Sequence, residues 1–578
     1  MVKFASPHTR LLATTALCSA VIAGGSAHAD TTAAQIGAIE KQIHALESQL
    51  HHMKTDLATR DDEVKAARKE ASTAARQARE AEEQVGSIRY DQAGRPLPPA
   101  PLSAPPGYIY AGQNGPAYPY VAGLPAPAYV SNGPRLKQGQ FALGGVRVTL
   151  GGFVDATSIY RSRNEVADIF SDFNGGIPYR SSPNAHQPEF RETARATRLS
   201  LLVEASPDAV TNIAAYAEAD FLVSGSTSNS RQSNSYGLRE RTLYATYARS
   251  DWDFYVMGGQ TWSLMTMNKI GIMPRQEDIP LTIDLAYVPG FVWTRNPSIR
   301  FVKGFDNHKI NLGLSFESPQ TNYYTGPNGT GSANGTVLAS SVGGSTLNPD
   351  STYSDDVAPD VIVKGTLDPG WGHYEAFGVA RFMHDRTSEA GSGSNKTVAA
   401  GGGGVGAILP IVKGKFEVHG DVLAGEGIGR YGPAQMSDAT FGRDGAPKPL
   451  PEVMAMIGLV GHPTKSVDLY GYGGVEHITS SEAFTSGGKS YGYGNALYNN
   501  AGCNTEQSGT VANCVANTET VVQGTVGGWW KFVQGAFGTM QTGVQYSYTH
   551  KAAFGGIGGA PKTDENTVMM SFRYFPFQ

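Results

Sequence analysis

Apolar and polar residues alternate one by one along many stretches of the chain. In residues 211–221 (TNIAAYAEADF), Ile213 and Phe221 fall on one face of an extended chain, while Glu218 and Asp220 fall on the other. We count sixteen such glycine- and aromatic-rich stretches after residue 140. The pattern predicts sixteen β-strands, with eighteen also possible.

The connections between these stretches alternate between short and long. Short turn sequences lie at residues 206–210, 249–252, 304–307, 368–371, 412–415, 462–465 and around 533–536. Long polar connections lie at residues 163–194, 224–238, 261–297, 318–356, 385–396, 429–450, 480–518 and 553–563. Outer-membrane barrels sort their connections in this way, with short periplasmic turns and long external loops. We therefore predict an all-β transmembrane barrel of antiparallel strands over residues 140–578.

A barrel in lipid reverses the usual arrangement of faces. Lipid supplies no hydrogen bonds, so the sheet must close, and apolar side chains must point outward. Ile213 should then face lipid, whereas Glu218 and Asp220 should face a wet lumen. In residues 239–250 (RERTLYATYARS), Arg239 and Arg241 share a parity with apolar residues such as Leu243, and the pattern does not place these two arginines. Sixteen strands leave an aqueous channel, so a channel for small solutes is the expected function.

The first 139 residues have a different character. Residues 1–29 carry a basic start, an apolar run and an Ala-His-Ala end, which predict a secretory signal peptide. Residues 30–90 repeat apolar positions every seven residues, interrupted by Arg60, and predict a periplasmic coiled coil. Isoleucine at both core positions of the first heptads favours a homotrimer. Residues 91–139 are proline-rich and predict a spacer.

Charge and motifs narrow the function. The 578 residues include 46 basic and 51 acidic side chains, for a net charge of −5, with no dense basic patch, so nucleic acid is not an expected partner. The glycines at 401–406 (GGGGVG) fit a glycine-rich strand better than a dinucleotide fingerprint. We find no Walker loop, HExxH or GxSxG, and therefore expect neither an enzyme nor a cofactor. Cys503 and Cys514 lie in one long connection of an exported chain, which predicts a local disulfide rather than a metal site.

The connection at residues 261–297 combines charged residues with apolar ones. Apolar residues in a long external loop need a surface to pack on, so we expect the loop to bend into the lumen and narrow the pore. The alternative is packing on a neighbouring subunit. The candidate pore residues are Arg198, Glu218, Asp220, Gln260, Lys269, Arg275, Glu277, Asp278, Asp284, Arg295, Arg300, Arg381 and Arg573.

Five segments together resemble a known family. They are residues 151–160 (GGFVDATSIY), 195–205 (RATRLSLLVEA), 215–221 (AYAEADF), 258–265 (GGQTWSLM) and 572–577 (FRYFPF). Their succession is similar to that of the DcaP-like porins of Gram-negative outer membranes, which also carry an amino-terminal coiled coil. The resemblance implies a trimer of sixteen-stranded barrels that imports small, typically anionic molecules such as dicarboxylates. By position, Gln260 and Trp262 would begin the constriction segment.

The sequence leaves other functions open. A structural role is the main alternative, with the stalk contacting the cell wall and the barrel anchoring it in outer-membrane lipid. An outer-membrane enzyme is a further alternative, although no spacing proposes a catalytic pair. Interior acids and bases look mixed, so the sequence does not fix the solute or the ion preference.

Overall fold

The computed structural model describes residues 138–222, 231, 233–328, 335–342, 351–506 and 514–577, together with residues 44, 47, 48 and 54. By compactness the chain divides into residues 1–106 and residues 107–578. The predicted signal peptide and almost all of the predicted spacer lie outside the described residues. Of the predicted coiled coil, four residues are described, and all four are helical. Among the described residues, no helix has the length and apolar character needed to cross a membrane.

In the described part of residues 146–575, sixteen antiparallel strands form one closed sheet. We label them in chain order as β1 (Val146–Arg161), β2 (Arg198–Ala205), β3 (Thr211–Asp220), β4 (Arg239–Arg249), β5 (Phe254–Trp262), β6 (Arg295–Phe305), β7 (Ile310–Glu317), β8 (Asp360–Leu367), β9 (His373–Glu389), β10 (Ser392–Val412), β11 (Phe416–Glu426), β12 (Pro451–Thr464), β13 (Val467–Ile478), β14 (Thr518–Gly535), β15 (Gly538–Ala553) and β16 (Lys562–Phe575). Each strand pairs with the next along the chain, and β1 pairs with β16 from Val154↔Tyr574 to Arg161↔Thr567. The predicted sixteen-stranded barrel is confirmed.

The described residues also form short elements in addition to the sixteen barrel strands. The additional strands are Gln140–Leu143, Glu189–Thr193, Thr336–Leu338, Ser340–Val342, Thr352–Ser354, Ala439–Phe441, Pro447–Pro449, Glu482–Ser486 and Lys489–Tyr493. Within the described residues, short 3-10 helices span Pro183–His186 and Gly429–Tyr431. Glu189–Thr193 pairs with the second half of β1, while the first half of β1 pairs with β2.

The barrel has an apolar outer face and a polar inner face. Ile213 on β3 is 42% exposed, whereas Glu218 and Asp220 are 4% and 0% exposed. Leu201 on β2 and Met570 on β16 are exposed in the same way. Closure pairs the backbone groups of β1 and β16, which an open sheet would leave as edges. The predicted reversal of faces is therefore confirmed.

The connections follow the predicted alternation at all but one place. The seven short turns lie at one end of the barrel, which we call the turn end, and the opposite end is the loop end. The prediction of a long connection at 385–396 is wrong, because β9 continues to Glu389 and β10 begins at Ser392. The two residues between them include Gly391, whose φ of +79° suits a tight turn. Here both faces of the hairpin are polar, so extended strands have the composition of a loop.

Candidate functional site

The connection between β5 and β6, residues 263–294, lies inside the barrel. Nearly all of its residues are buried. Its apolar side chains pack against inward-facing residues of the strands, among them Met257, Val302, Ile362, Met456, Tyr470 and Trp529. Burying these side chains away from water stabilises the inserted position. The loop therefore occupies the lumen.

Hydrogen bonds tie the second half of this loop to the strands beyond β12. The backbone N–H of Leu281 donates to the Tyr472 hydroxyl at 3.1 Å, and the Trp529 Nε1–H donates to the Leu281 carbonyl at 2.8 Å. The N–H of Ile283 donates to Gln545 at 2.6 Å. These contacts satisfy backbone groups that would otherwise be buried without partners.

The first half of the loop forms a hairpin, residues 267–278, which we call the tongue. Asn268 and Glu277 form an antiparallel bridge. The N–H of Lys269 donates to Gln276 at 2.7 Å, and the N–H of Asp278 donates to Met267 at 2.7 Å. The tongue carries four of the predicted pore residues, namely Lys269, Arg275, Glu277 and Asp278.

The base of the tongue is bound to β8, β9 and β11. Asp278 pairs with His419 at 2.5 Å. Lys364 donates to the Asn268 side chain at 2.9 Å and pairs with Glu375 at 2.7 Å. Burial opposes ionisation of the Asp278 carboxyl, but the charge and hydrogen bond of His419 outweigh it and lower the pKa of Asp278.

The opposite side of the lumen carries a basic cluster on β2, β3 and β4. Arg241 donates to Glu218 at 2.6 Å and to Asp220 at 3.0 Å. Arg239 forms a fork of two hydrogen bonds to Asp220, at 2.9 and 2.8 Å, and Arg198 lies 3.6 Å from Glu218. Three guanidinium groups thus share two carboxylates, which leaves the cluster positively charged.

Sequence reasoning did not place Arg239 and Arg241, and the register explains why. Glu218 pairs with Thr242, but the next residue, Ala219, pairs with Glu240, so Arg241 is an extra residue in β4. Such a bulge reverses the alternation of faces. Arg241 is consequently 1% exposed inside the barrel although it shares a parity with Leu243.

A cavity of about 710 Å³ at the loop end adjoins this side of the lumen. Arg295 lines it together with Gln260, Asn296 and Arg430. The Arg295 guanidinium lies over the Trp262 ring at 4.8 Å, and its Nη1 has no hydrogen-bond partner among the described residues. Arg295 therefore presents an incompletely satisfied positive charge beside the cavity.

The remaining predicted pore residues have varied surroundings. Arg300 donates to the Trp262 carbonyl at 2.6 Å, where the inserted loop begins. Arg573 pairs with Asp155 at 2.6 Å and lies over Trp529. Arg381 instead contacts Asp360 and Asp438 at the loop end, and so is not brought together with the tongue.

Asp284 belongs to the second half of the inserted loop. Its carboxylate accepts hydrogen bonds from the backbone N–H groups of Ser171 and Ala286, at 3.3 and 2.8 Å. Burial raises the pKa of Asp284 to about 6.

The long connection between β13 and β14 contains two cysteines. Cys503 and Cys514 are joined by a disulfide, with their Cα atoms 4.8 Å apart. Within the described parts of the chain, no group of three or more histidine, cysteine or acidic residues has an arrangement that could hold a metal ion.

Comparisons with known proteins agree with this architecture. No protein-family model matches the sequence, and no curated protein is similar to it at a significant level. Among solved structures, an anion-selective porin from Comamonas acidovorans is 10% identical, with a TM-score of 0.42 over 74% of this chain and 99% of that chain. This score is too low to support an argument. The outer membrane channel DcaP of Acinetobacter baumannii is 18% identical, with a TM-score of 0.52 over 76% of this chain and 99% of that chain. The resemblance to the DcaP-like porins is thereby confirmed at the level of the fold.

Proposed function

We propose that the protein is an outer-membrane porin, a passive and mildly selective diffusion channel for small hydrophilic solutes. The observation that carries this proposal is the closed barrel with an apolar exterior and a charged interior. Such a barrel is stable in lipid and offers polar groups to a solute that crosses it.

We further propose that the preferred solutes are anions of the dicarboxylate type. The support is the cluster of Arg198, Arg239 and Arg241, whose charge exceeds that of Glu218 and Asp220, together with Arg295 beside the cavity. Several guanidinium groups in a confined space attract carboxylates and lower the barrier to their entry.

The assembly is also part of the proposal. The heptads of residues 30–90 support a homotrimer with a periplasmic stalk, and the signal-like residues 1–29 support export. In this arrangement residues 91–139 link the stalk to the barrel, and the turn end faces the periplasm.

Planar-bilayer recording tests the channel function. Purified trimers should give conductance steps in groups of three, with reversal potentials that favour anions in a salt gradient. A panel of organic acids, amino acids and sugars added to one side would rank the solutes by how they block the current. A correctly folded trimer that stays silent at all voltages would reject the proposal.

A structural anchor is the second candidate, and the filling of the lumen by residues 263–294 favours it. Deletion of residues 30–135 separates the two functions. A porin without its stalk should still conduct and import solutes. A tether without its stalk should lose envelope integrity while uptake stays unchanged.

A further inference from the structure

The tongue extends from β8, β9 and β11 toward β4 and β5. Its base is bound to β8, β9 and β11 through Asn268 and Asp278, as described above. Its tip, residues 270–275, reaches β4 and β5, and Gly271 also contacts the turn between β8 and β9. We propose that this tip is a gate, which must leave β4 and β5 before solute can pass. The inference rests on the proposed channel function.

The tip lies between two small cavities along the same strands. The one nearer the loop end has a volume of about 20 Å³ and is lined by Glu218, Thr242, Tyr244 and Arg275. The one at the turn end also has a volume of about 20 Å³ and is lined by Tyr255, Ile272, Met273, Val302 and the turn residue His308. Each has room for roughly one water molecule. Withdrawal of the tip would join them into one route.

Three hydrogen bonds hold the tip in place. The Tyr255 hydroxyl donates to the Ile272 carbonyl at 2.6 Å. Arg275 donates to the Tyr244 hydroxyl at 3.3 Å, and the N–H of Gly271 donates to Asp368 at 2.9 Å. By contrast, the base has a buried ion pair, Asp278 with His419, and contacts the buried pair of Lys364 with Glu375. Moving the base would leave buried charges unpaired, whereas moving the tip breaks the apolar contacts of Ile272 but separates no ion pair among the described residues. The tip is therefore the more easily released part of the tongue.

The closed position also contains features that cost free energy. Arg275 has a φ of +64°, in the left-handed region that a side chain with a Cβ disfavours. Its Nε has no hydrogen-bond partner among the described residues. A guanidinium that is partly buried and has an unpartnered Nε regains hydration when it moves into an open lumen. These costs reduce the free-energy difference between the closed and open positions.

A reversible cross-link tests whether the tip must move. A Cβ atom at position 313 on β7 would lie 3.0 Å from Ile272 Cδ1, so a side chain at position 313 contacts the side chain of residue 272, and the test variant is I272C/G313C. The oxidised I272C/G313C trimer should have a bilayer conductance at least tenfold lower than that of the reduced form, and a reductant should restore the conductance. The wild type and both single variants receive the same oxidant and reductant, because the Cys503–Cys514 disulfide also responds to reductant. Electrophoresis verifies the bond.

Each result has a definite meaning. A cross-linked trimer that conducts like the wild type would overturn the gate while leaving the channel function intact. A silent wild type with silent variants would overturn the channel function and the gate with it.

A second variant loosens the closed position without adding bulk. Y244F/Y255F removes two of the three hydrogen bonds and should raise the fraction of time in the open state about tenfold. Y546F is the matched control, because the Tyr546 hydroxyl bonds Asn566 on the exposed face of the barrel. An open fraction equal to that of the control would contradict the gate.

Discussion

The two sides of the lumen hold charge in different ways. On the side of β2 to β6, guanidinium groups outnumber carboxylates. On the side of β9 to β13, buried carboxylates are numerous, and they include Glu375, Asp421, Glu452 and Glu476. Several of them bind backbone N–H groups of the loops, as Glu375 does with Asn268 and Glu476 does with Gly290 and Ala434.

Because of this difference, we infer different roles for the two sides of the lumen. Carboxylates that accept backbone N–H groups fix the position of the inserted loop and have less capacity to attract a passing cation. The arginines around Glu218 and Asp220 fix one another, but they retain a surplus of positive charge. We infer that the basic side meets the solute and that the acidic side holds the loop.

Among the variants considered, reversal of the charge at Arg295 should change the ion selectivity the most. In Arg295→Glu we expect the anion-to-cation permeability ratio to fall about tenfold, because two units of charge change beside the cavity at an effective dielectric constant of roughly 20. Reversal potentials in a salt gradient measure the ratio. Arg295 has an unpartnered Nη1, so its replacement should disturb the fold less than that of Arg241.

The matched control is Arg386→Glu, which makes the same change of charge at an exposed position of the β9–β10 hairpin. Its permeability ratio should stay close to that of the wild type. Equal shifts in both variants would show that net charge, and not the basic side of the lumen, sets selectivity.

Neutralisation of a carboxylate on the acidic side should change the anion-to-cation permeability ratio less, and in the opposite direction. Asp421 is 4% exposed, and its Oδ1 has no hydrogen-bond partner in the described part of the chain. Asp421→Asn should raise the anion preference by about threefold at most, because it keeps the shape and removes a carboxylate whose charge is already opposed by burial and by the neighbouring Glu375. Asp306→Asn in an exposed turn is the control. A shift toward cations in Asp421→Asn would contradict the assignment of tasks.

The sequence predicted the part of this molecule that depends on periodicity. Alternation placed Ile213 outward and Glu218 inward, and the lengths of the connections located seven turns correctly. Arg239 and Arg241 could not be placed, because one extra residue in a strand reverses parity and leaves no compositional mark.

The sequence predicted that the connection at residues 261–297 bends into the lumen, but not which strands it contacts. Its apolar residues indicate that it packs against something, yet the contacts that fix the base of the tongue join residues 96 to 141 positions apart. Asp278 pairs with His419, and Asn268 binds Glu375. Such pairings depend on the closure of the barrel, which a local pattern does not encode.

The smallest expected effect concerns Asp284, a loop carboxylate that holds N–H groups as those of the acidic side do. Burial raises its pKa to about 6, above the ordinary 3.8, so the folded protein binds this proton more tightly than the unfolded chain. The contribution of Asp284 to the free energy of unfolding is therefore complete below about pH 4, declines as the pH rises to about 6, and stays low at higher pH. Urea unfolding in detergent from pH 4 to pH 7 should show this decline, and Asp284→Asn should reduce it while Asp306→Asn should not.

A steeper decline in Asp284→Asn would mean that the carboxylate is ionised throughout this range and that Arg161, whose charge lowers its pKa, acts as its partner. Asp284 would then resemble the paired acids of the basic side, and the distinction between the two sides would not extend to this loop.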